Sequence, residues 1–227
     1  MRYVAKQILL ALALLILAIL IAVQWVAYDP AFMARELIKL NSPQAVGISE
    51  ADLMRYIEHT ARYLRGAEQD PNFRLIIAGE EGWFLGEREV LHMQDVQHLF
   101  SLAKYLAVFL AIVLVALFML AYRTNKLAQY LHCLARGSLL AILMGILSAA
   151  LISLDFNRSF TLFHLLSFSN DLWLLDPATE RLINLLPEAF FATAALQTAL
   201  RAAALLSLLA VLSYWLRYRA IRDHRPL

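Results

Sequence analysis

The chain has 227 residues, 61% of them hydrophobic and 17% charged, with a formal net charge of +2 and a mean hydropathy of +0.62. A soluble domain is about 45–50% apolar and about 25% charged, so a water-soluble enzyme, a disordered tail and a basic nucleic-acid binder are excluded. The single cysteine, Cys133, leaves no intramolecular disulfide and no Cys-cluster metal site. An integral membrane protein is expected.

Residues 1–28 hold a short basic N-terminus and a first apolar stretch, Ile8–Ala27, long enough for the ~20 residues that cross a bilayer. Its apolar core exceeds the ~7–15 residues of a signal peptide, and no small-x-small cleavage site precedes Asp29-Pro30, so a retained helix is expected. Trp25 and Tyr28 stand where an interfacial aromatic belt lies.

Residues 29–99 read as a small α+β domain. PAFMARELIKL is a helix begun by Pro30, and Ser49-Glu50-Ala51-Asp52 is a capping-box variant opening a second helix through about Leu64. RLIIAGEEGWFLGE reads as a β-hairpin with Gly79 and Gly82 bracketing its turn. At the end of the domain, LHMQDVQHLF places His92 and Asp95 about 60° apart on a helix, while His92 and His98 point to different faces. Asp95 either fixes the tautomer of His92 or caps the helix that opens the next span, and spacing does not separate the two.

The second span is 100–122, a short connection runs over 123–136, and the third span is 137–154. Residues 155–193 are rich in aromatics but too often interrupted by polar residues to cross. A soluble loop would not expose Phe160, Phe163, Phe168, Trp173, Phe190 and Phe191, so a membrane-surface loop is expected. Within it, Asp176-Pro177 reads as the cap and first turn of a short helix, Ala178–Leu186, ended by Pro187. The fourth span is 194–216 and the tail 217–227. Lys104 and Arg201 fall within the second and fourth spans, either snorkelling to headgroups or facing the bundle interior to hold a lipid head.

Charge sets the expected orientation. The N-terminus, the 123–136 connection and the tail carry nine Lys and Arg, Arg2 and Arg225 among them, against one acid, Asp223. The segments 29–99 and 155–193 carry nine cations against seventeen acids. Both termini are therefore expected in the cytoplasm and the two long segments outside.

Of six histidines, His132 and His224 fall on the cytoplasmic side and His59 lies exposed on the amphipathic helix. His92, His98 and His164 gather near the outer surface. A histidine among aromatics, as in FTLFHLLSF, is often just a packed interfacial side chain. Paired with His92, His164 offers a two-imidazole site in which one ring takes a proton and the other gives one. There is no GxSxG, Walker loop or HExxH, and the spacing of Ser101, Ser159, Ser167 and Ser169 singles out no nucleophile. A metal held by His92, Asp95 and His164 lacks diagnostic spacing, and no metal or cofactor is assigned.

HMQDV at His92–Val96 and FHLLSFSNDLWLLDP at Phe163–Pro177, continuing to LINLLPEAFF, resemble the bacterial lipoprotein intramolecular transacylases. The resemblance implies four spans and two functional histidines, which fall on His92 and His164. It implies a diacylated lipoprotein substrate in membrane lipid, whose sn-2 acyl chain moves from the cysteine-linked glyceryl group to the α-amine of that cysteine. Asp95, Asn170, Trp173 and Asp176 are the supporting residues, with Asn170, Trp173 or a backbone amide facing the oxyanion. The rivals are an intermolecular lipid acyltransferase or lipase and a non-catalytic scaffold or transporter. Apart from Lys104 and Arg201, the spans offer almost no ionisable residue for a polar path. Oligomeric state stays open, since Gly137 and Gly145 make no GxxxG pair.

Overall fold

The computed structural model describes the backbone of residues 2–222 and the side chains of 4–222. The side chain of Arg2, with Asp223, His224 and Arg225, lies outside the described residues. The elements are α1 (Arg2–Ala27), α2 (Pro30–Lys39), α3 (Ser42–Ala45), α4 (Glu50–Arg65), β1 (Arg74–Ile77), β2 (Glu80–Trp83), α5 (Glu87–Arg123), α6 (Leu127–Leu154), α7 (Phe156–Ser167), α8 (Arg181–Leu185) and α9 (Glu188–Arg222). Helices α1, α5, α6 and α9 are long and apolar enough to cross a membrane. The chain is an α-helical, multi-pass integral membrane protein with one small sheet.

The first of two compact units comprises Met1–Ala22, Lys104–Leu154 and Leu196–Leu227. Small residues carry its core: Ala11, Ala18 and Ala22 of α1 cluster with Leu134 and Ala141 of α6 and Ala202 and Leu206 of α9. A Cβ on Gly137 would come within 3.2 Å of Leu14 Cδ1, and one on Gly145 within 3.2 Å of Leu15 Cδ1. Both glycines therefore mark where α6 packs closest on α1. Phe109, Ile112, Val115 and Leu120 of α5 are more than half exposed, a surface suited to lipid rather than water. Lys104 is exposed, as a snorkelling side chain is, and Arg201 is half-buried.

The second unit comprises Val23–Ala103 and Asp155–Ala195. Asp29 caps α2 by accepting from Phe32 N at 3.0 Å. Ser49 caps α4, accepting from Asp52 N at 3.0 Å and donating to Asp52 Oδ2 at 2.9 Å. Gly66 ends that helix with φ of 82°. Leu37, Leu53, Ile57, Tyr56, Phe84 and Leu185 form a continuous core, whose burial raises the Tyr56 phenol above its ordinary range.

Several boundaries differ from the sequence expectations. Ile77 pairs with Glu80, so the hairpin turns on Ala78 and Gly79, both at positive φ, as a two-residue primed turn requires. Gly82 lies inside β2 opposite Leu75. Ala78 accepts its left-handed backbone while its N–H is held by Gly47 O at 2.8 Å. Helix α5 starts at Glu87, well before the apolar stretch, so Asp95 lies inside a helix and caps nothing. Asp176 closes a turn rather than a helix, accepting from Ala178 N at 2.9 Å and donating its own N–H to the Glu180 carboxylate. Only Arg181–Leu185 then coils, and Pro187 precedes the long α9.

Candidate active site

Helix α7 is set by Asp155, whose carboxylate accepts from Arg158 N at 3.0 Å. That start puts His164 in its last turn. His164 is 8% exposed and lies among aromatics, stacked on Trp173 at 4.9 Å and edge-on to Phe160 at 4.4 Å. Its Nδ1 sits 2.8 Å from Phe160 O. A carbonyl oxygen only accepts, so Nδ1 carries the proton and Nε2 is the nitrogen left for exchange.

His92 projects from the second turn of α5, also 8% exposed, with its ring centroid 6.3 Å from that of His164. Phe168 closes the gap, edge-on to His92 at 5.3 Å and 5.7 Å from His164. Nδ1 of His92 is buried and has no hydrogen-bond partner among the described residues. The two rings thus each keep a nitrogen free in a mostly apolar recess.

Residues 168–173 are tied to α5 on both sides of His92. One turn before it, Arg88 Nη2 donates to Asp171 O and lies 3.6 Å from Asp171 Oδ1. One turn after it, Asp95 Oδ2 accepts from Asn170 Nδ2 at 2.8 Å. Asn170 Oδ1 accepts from Leu172 N at 3.1 Å, and Asn170 O accepts from Trp173 Nε1 at 3.1 Å. Beneath this strap Glu89, 1% exposed, accepts from Gly86 N at 2.6 Å and Leu182 N at 2.5 Å. The first bond is half of a capping box for α5, and the second fixes α8 to it.

The structure therefore brings His92, His164, Asp95, Asn170 and Trp173 together. Asp176 is exposed and its polar contacts stay within its own turn. Asp95 bonds Asn170 rather than His92, so the carboxylate does not set the His92 tautomer by a direct hydrogen bond. The Trp173 N–H is spent on Asn170 O and does not face an oxyanion. His59 is half-buried rather than fully exposed: its Nε2 meets Asp70 O at 2.8 Å and its ring packs on Phe73 at 4.4 Å. Among the described residues no three His, Cys, Asp or Glu side chains converge to hold a metal ion.

Sequence reasoning passed over an open pocket of about 230 Å³ lined by Asp95, His98, Leu99, Phe168, Ser169 and Asn170. The spacing Asp95–His98, one helical turn, was the available signal. Arg88 and Glu89 tie α5 to the 168–173 segment and to α8, which only the start of α5 at Glu87 makes evident.

No curated sequence matches the chain significantly. The fold is similar to the membrane-integral lipoprotein intramolecular transacylase Lit from Bacillus cereus, with a TM-score of 0.74 at 23% identity over 96% of this chain and 94% of that one. Two structures of the same enzyme with a histidine substituted match at a TM-score of 0.71 and 22% identity, each over 96% of this chain and 91% or 92% of that one. A family profile described as "Lipoprotein intramolecular transacylase Lit" matches residues 8–191. With most of its length matched, the chain belongs to the lipoprotein intramolecular transacylase family Lit, a family of acyltransferases.

Proposed function

We propose that the chain moves the sn-2 acyl chain of a lipoprotein's diacylglyceryl-cysteine to the α-amine of that cysteine, leaving an N-acyl, S-monoacylglyceryl product. One observation carries this reading: two buried histidines from α5 and α7, 6.3 Å apart, each with a free ring nitrogen. A free α-amine has a pKa of about 8 and is a weak nucleophile while protonated. One imidazole takes a proton from the ammonium, the freed amine attacks the ester carbonyl, and the other ring passes the nitrogen's second proton to the departing glyceryl oxygen. The N–C bond forms as the C–O bond breaks. Amine and ester belong to one molecule, so holding them face to face supplies the effective molarity that a covalent acyl-enzyme would otherwise provide. The second N–H of Asn170 and the backbone amides of Ser169, Asn170 and Asp171 are the donors left for the tetrahedral oxyanion.

The charge balance of the connecting segments supports a site outside the cytoplasmic membrane of a bacterium with both termini inside. The test is tandem mass spectrometry of a reporter lipopeptide, co-expressed in a host that leaves diacylglyceryl lipoproteins with free amines. An N-acylated peptide with one remaining glyceryl ester is expected, falling by about 100-fold or more in His92→Ala and in His164→Ala. Label arriving from a labelled phospholipid would instead indicate an intermolecular acyltransferase, and an unchanged peptide with folded protein would sink the reading.

A further inference from the structure

We infer that the pocket lined by Asp95, His98 and Phe168 docks a primary ammonium, gripped by Asp95, with Phe168 also packing on His92 at 5.3 Å. The inference rests on the amine-acylating reading above. Asp95 is half-buried and lines the pocket. Its Oδ2 is held by Asn170 Nδ2, and among the described residues no Lys or Arg forms an ion pair with it, Arg88 being engaged by Asp171. A half-buried carboxylate that meets a neutral amide and no cation keeps its charge unbalanced. An ammonium restores the balance, bringing one positive charge and three N–H donors. His98 at the pocket rim is the other titratable group there, and Leu99 and Phe168 form its apolar wall.

The placement fits the chemistry. Asp95 lies one helical turn after His92, where side chains three apart are neighbours. A nitrogen held on Asp95 therefore has His92 within reach. The proton count also closes. An ammonium that becomes an amide sheds two protons: one leaves to His92 and then to solvent before attack, and the other passes to the glyceryl oxygen. Water carries no charge for Asp95 to hold, so the pocket favours transfer to nitrogen over hydrolysis.

The experiment uses the full chain in lipid nanodiscs and a dialkylglyceryl-ether analogue of the cysteinyl lipopeptide, whose ether links cannot be transferred. The free-amine lipopeptide is expected to bind at least tenfold more tightly than its N-acetyl form. An N-methyl form, which keeps the charge, should bind like the free amine. Asp95→Asn, which keeps an oxygen for Asn170 Nδ2, should collapse the preference to within twofold, whereas a merely structural role would weaken all three ligands alike. Equal binding of amine and N-acetyl forms to the unaltered chain overturns the inference without needing any variant, and so does a preference that survives in Asp95→Asn. The ester lipopeptide, run in parallel, reads the transfer itself. Amine preference without N-acyl product would sink the transacylase reading and leave the docking site standing.

Discussion

Trp173 does two things at the candidate site, and they can be separated. Its ring lies flat against His164 at 4.9 Å, and its N–H holds Asn170 O at 3.1 Å. Trp173→Phe keeps the stack and loses the hydrogen bond, so transfer to the lipopeptide amine should stay within about threefold. Trp173→Ala releases the imidazole from one face and should cost about tenfold or more in kcat, since a displaced general acid or base loses reach. Equal losses in the two variants would show that the hydrogen bond, not the stack, positions the ring. At this scale the sequence was legible where family motifs stood. His92 and His164 are far apart in the chain and no spacing rule joins them; the outer side expected for both paired them, and the resemblance then marked both as functional. Asp95 was ambiguous because its meaning depends on where α5 begins, and hydropathy rises only near Leu99.

Helix α5 begins where it does because Glu89 closes its first turn from within. The carboxylate is 1% exposed and satisfies two backbone N–H groups, Gly86 and Leu182. Glu89→Ala orphans both donors, and each buried unpaired donor costs about 1–3 kcal/mol. Thermal unfolding of the purified protein should show a loss of about 2–6 kcal/mol, with Glu89→Gln intermediate because an amide offers one acceptor instead of two. No change in Tm for Glu89→Ala would mean that water replaces the carboxylate. The acidic first turn of α5, Glu87 and Glu89, was the cue in the sequence, masked by the lower hydropathy there. Likewise Asp176-Pro177 carries a cap signature, yet Glu180 reaches back to Asp176 N and turns the chain before any helix forms. Caps and turns use the same short polar side chains, so only tertiary context separates them.

For the whole molecule, composition alone distinguished the membrane class, and the four long apolar stretches matched four helices. Their ends were less legible: α6 begins at Leu127 and α9 at Glu188, ahead of the apolar stretches at Gly137 and Ala194, because a helix continues through polar residues that hydropathy discounts. The orientation argued from charge has a direct check. Alkaline phosphatase, active only after export, should be active when fused in the turn after Gly66 and inactive when fused after Asn125, between α5 and α6. The reverse pattern would invert the proposed topology. The small-residue packing of α1 on α6 would have been missed by a search for GxxxG, since Gly137 and Gly145 are spaced two turns apart.

The bond from His164 Nδ1 to Phe160 O has a consequence for traffic through the ring. A relay histidine receives at one nitrogen and passes on from the other. With Nδ1 committed to its own helix, His164 is a siding: what arrives at Nε2 leaves at Nε2. Such a ring suits an exchange between two atoms of one substrate lying side by side, as the attacking nitrogen and the departing glyceryl oxygen would be in the proposed reaction. It is closed as a conduit to bulk water. In the proposed reaction the surplus proton of the acylated ammonium then leaves by way of His92, whose Nδ1 no hydrogen bond pins among the described residues.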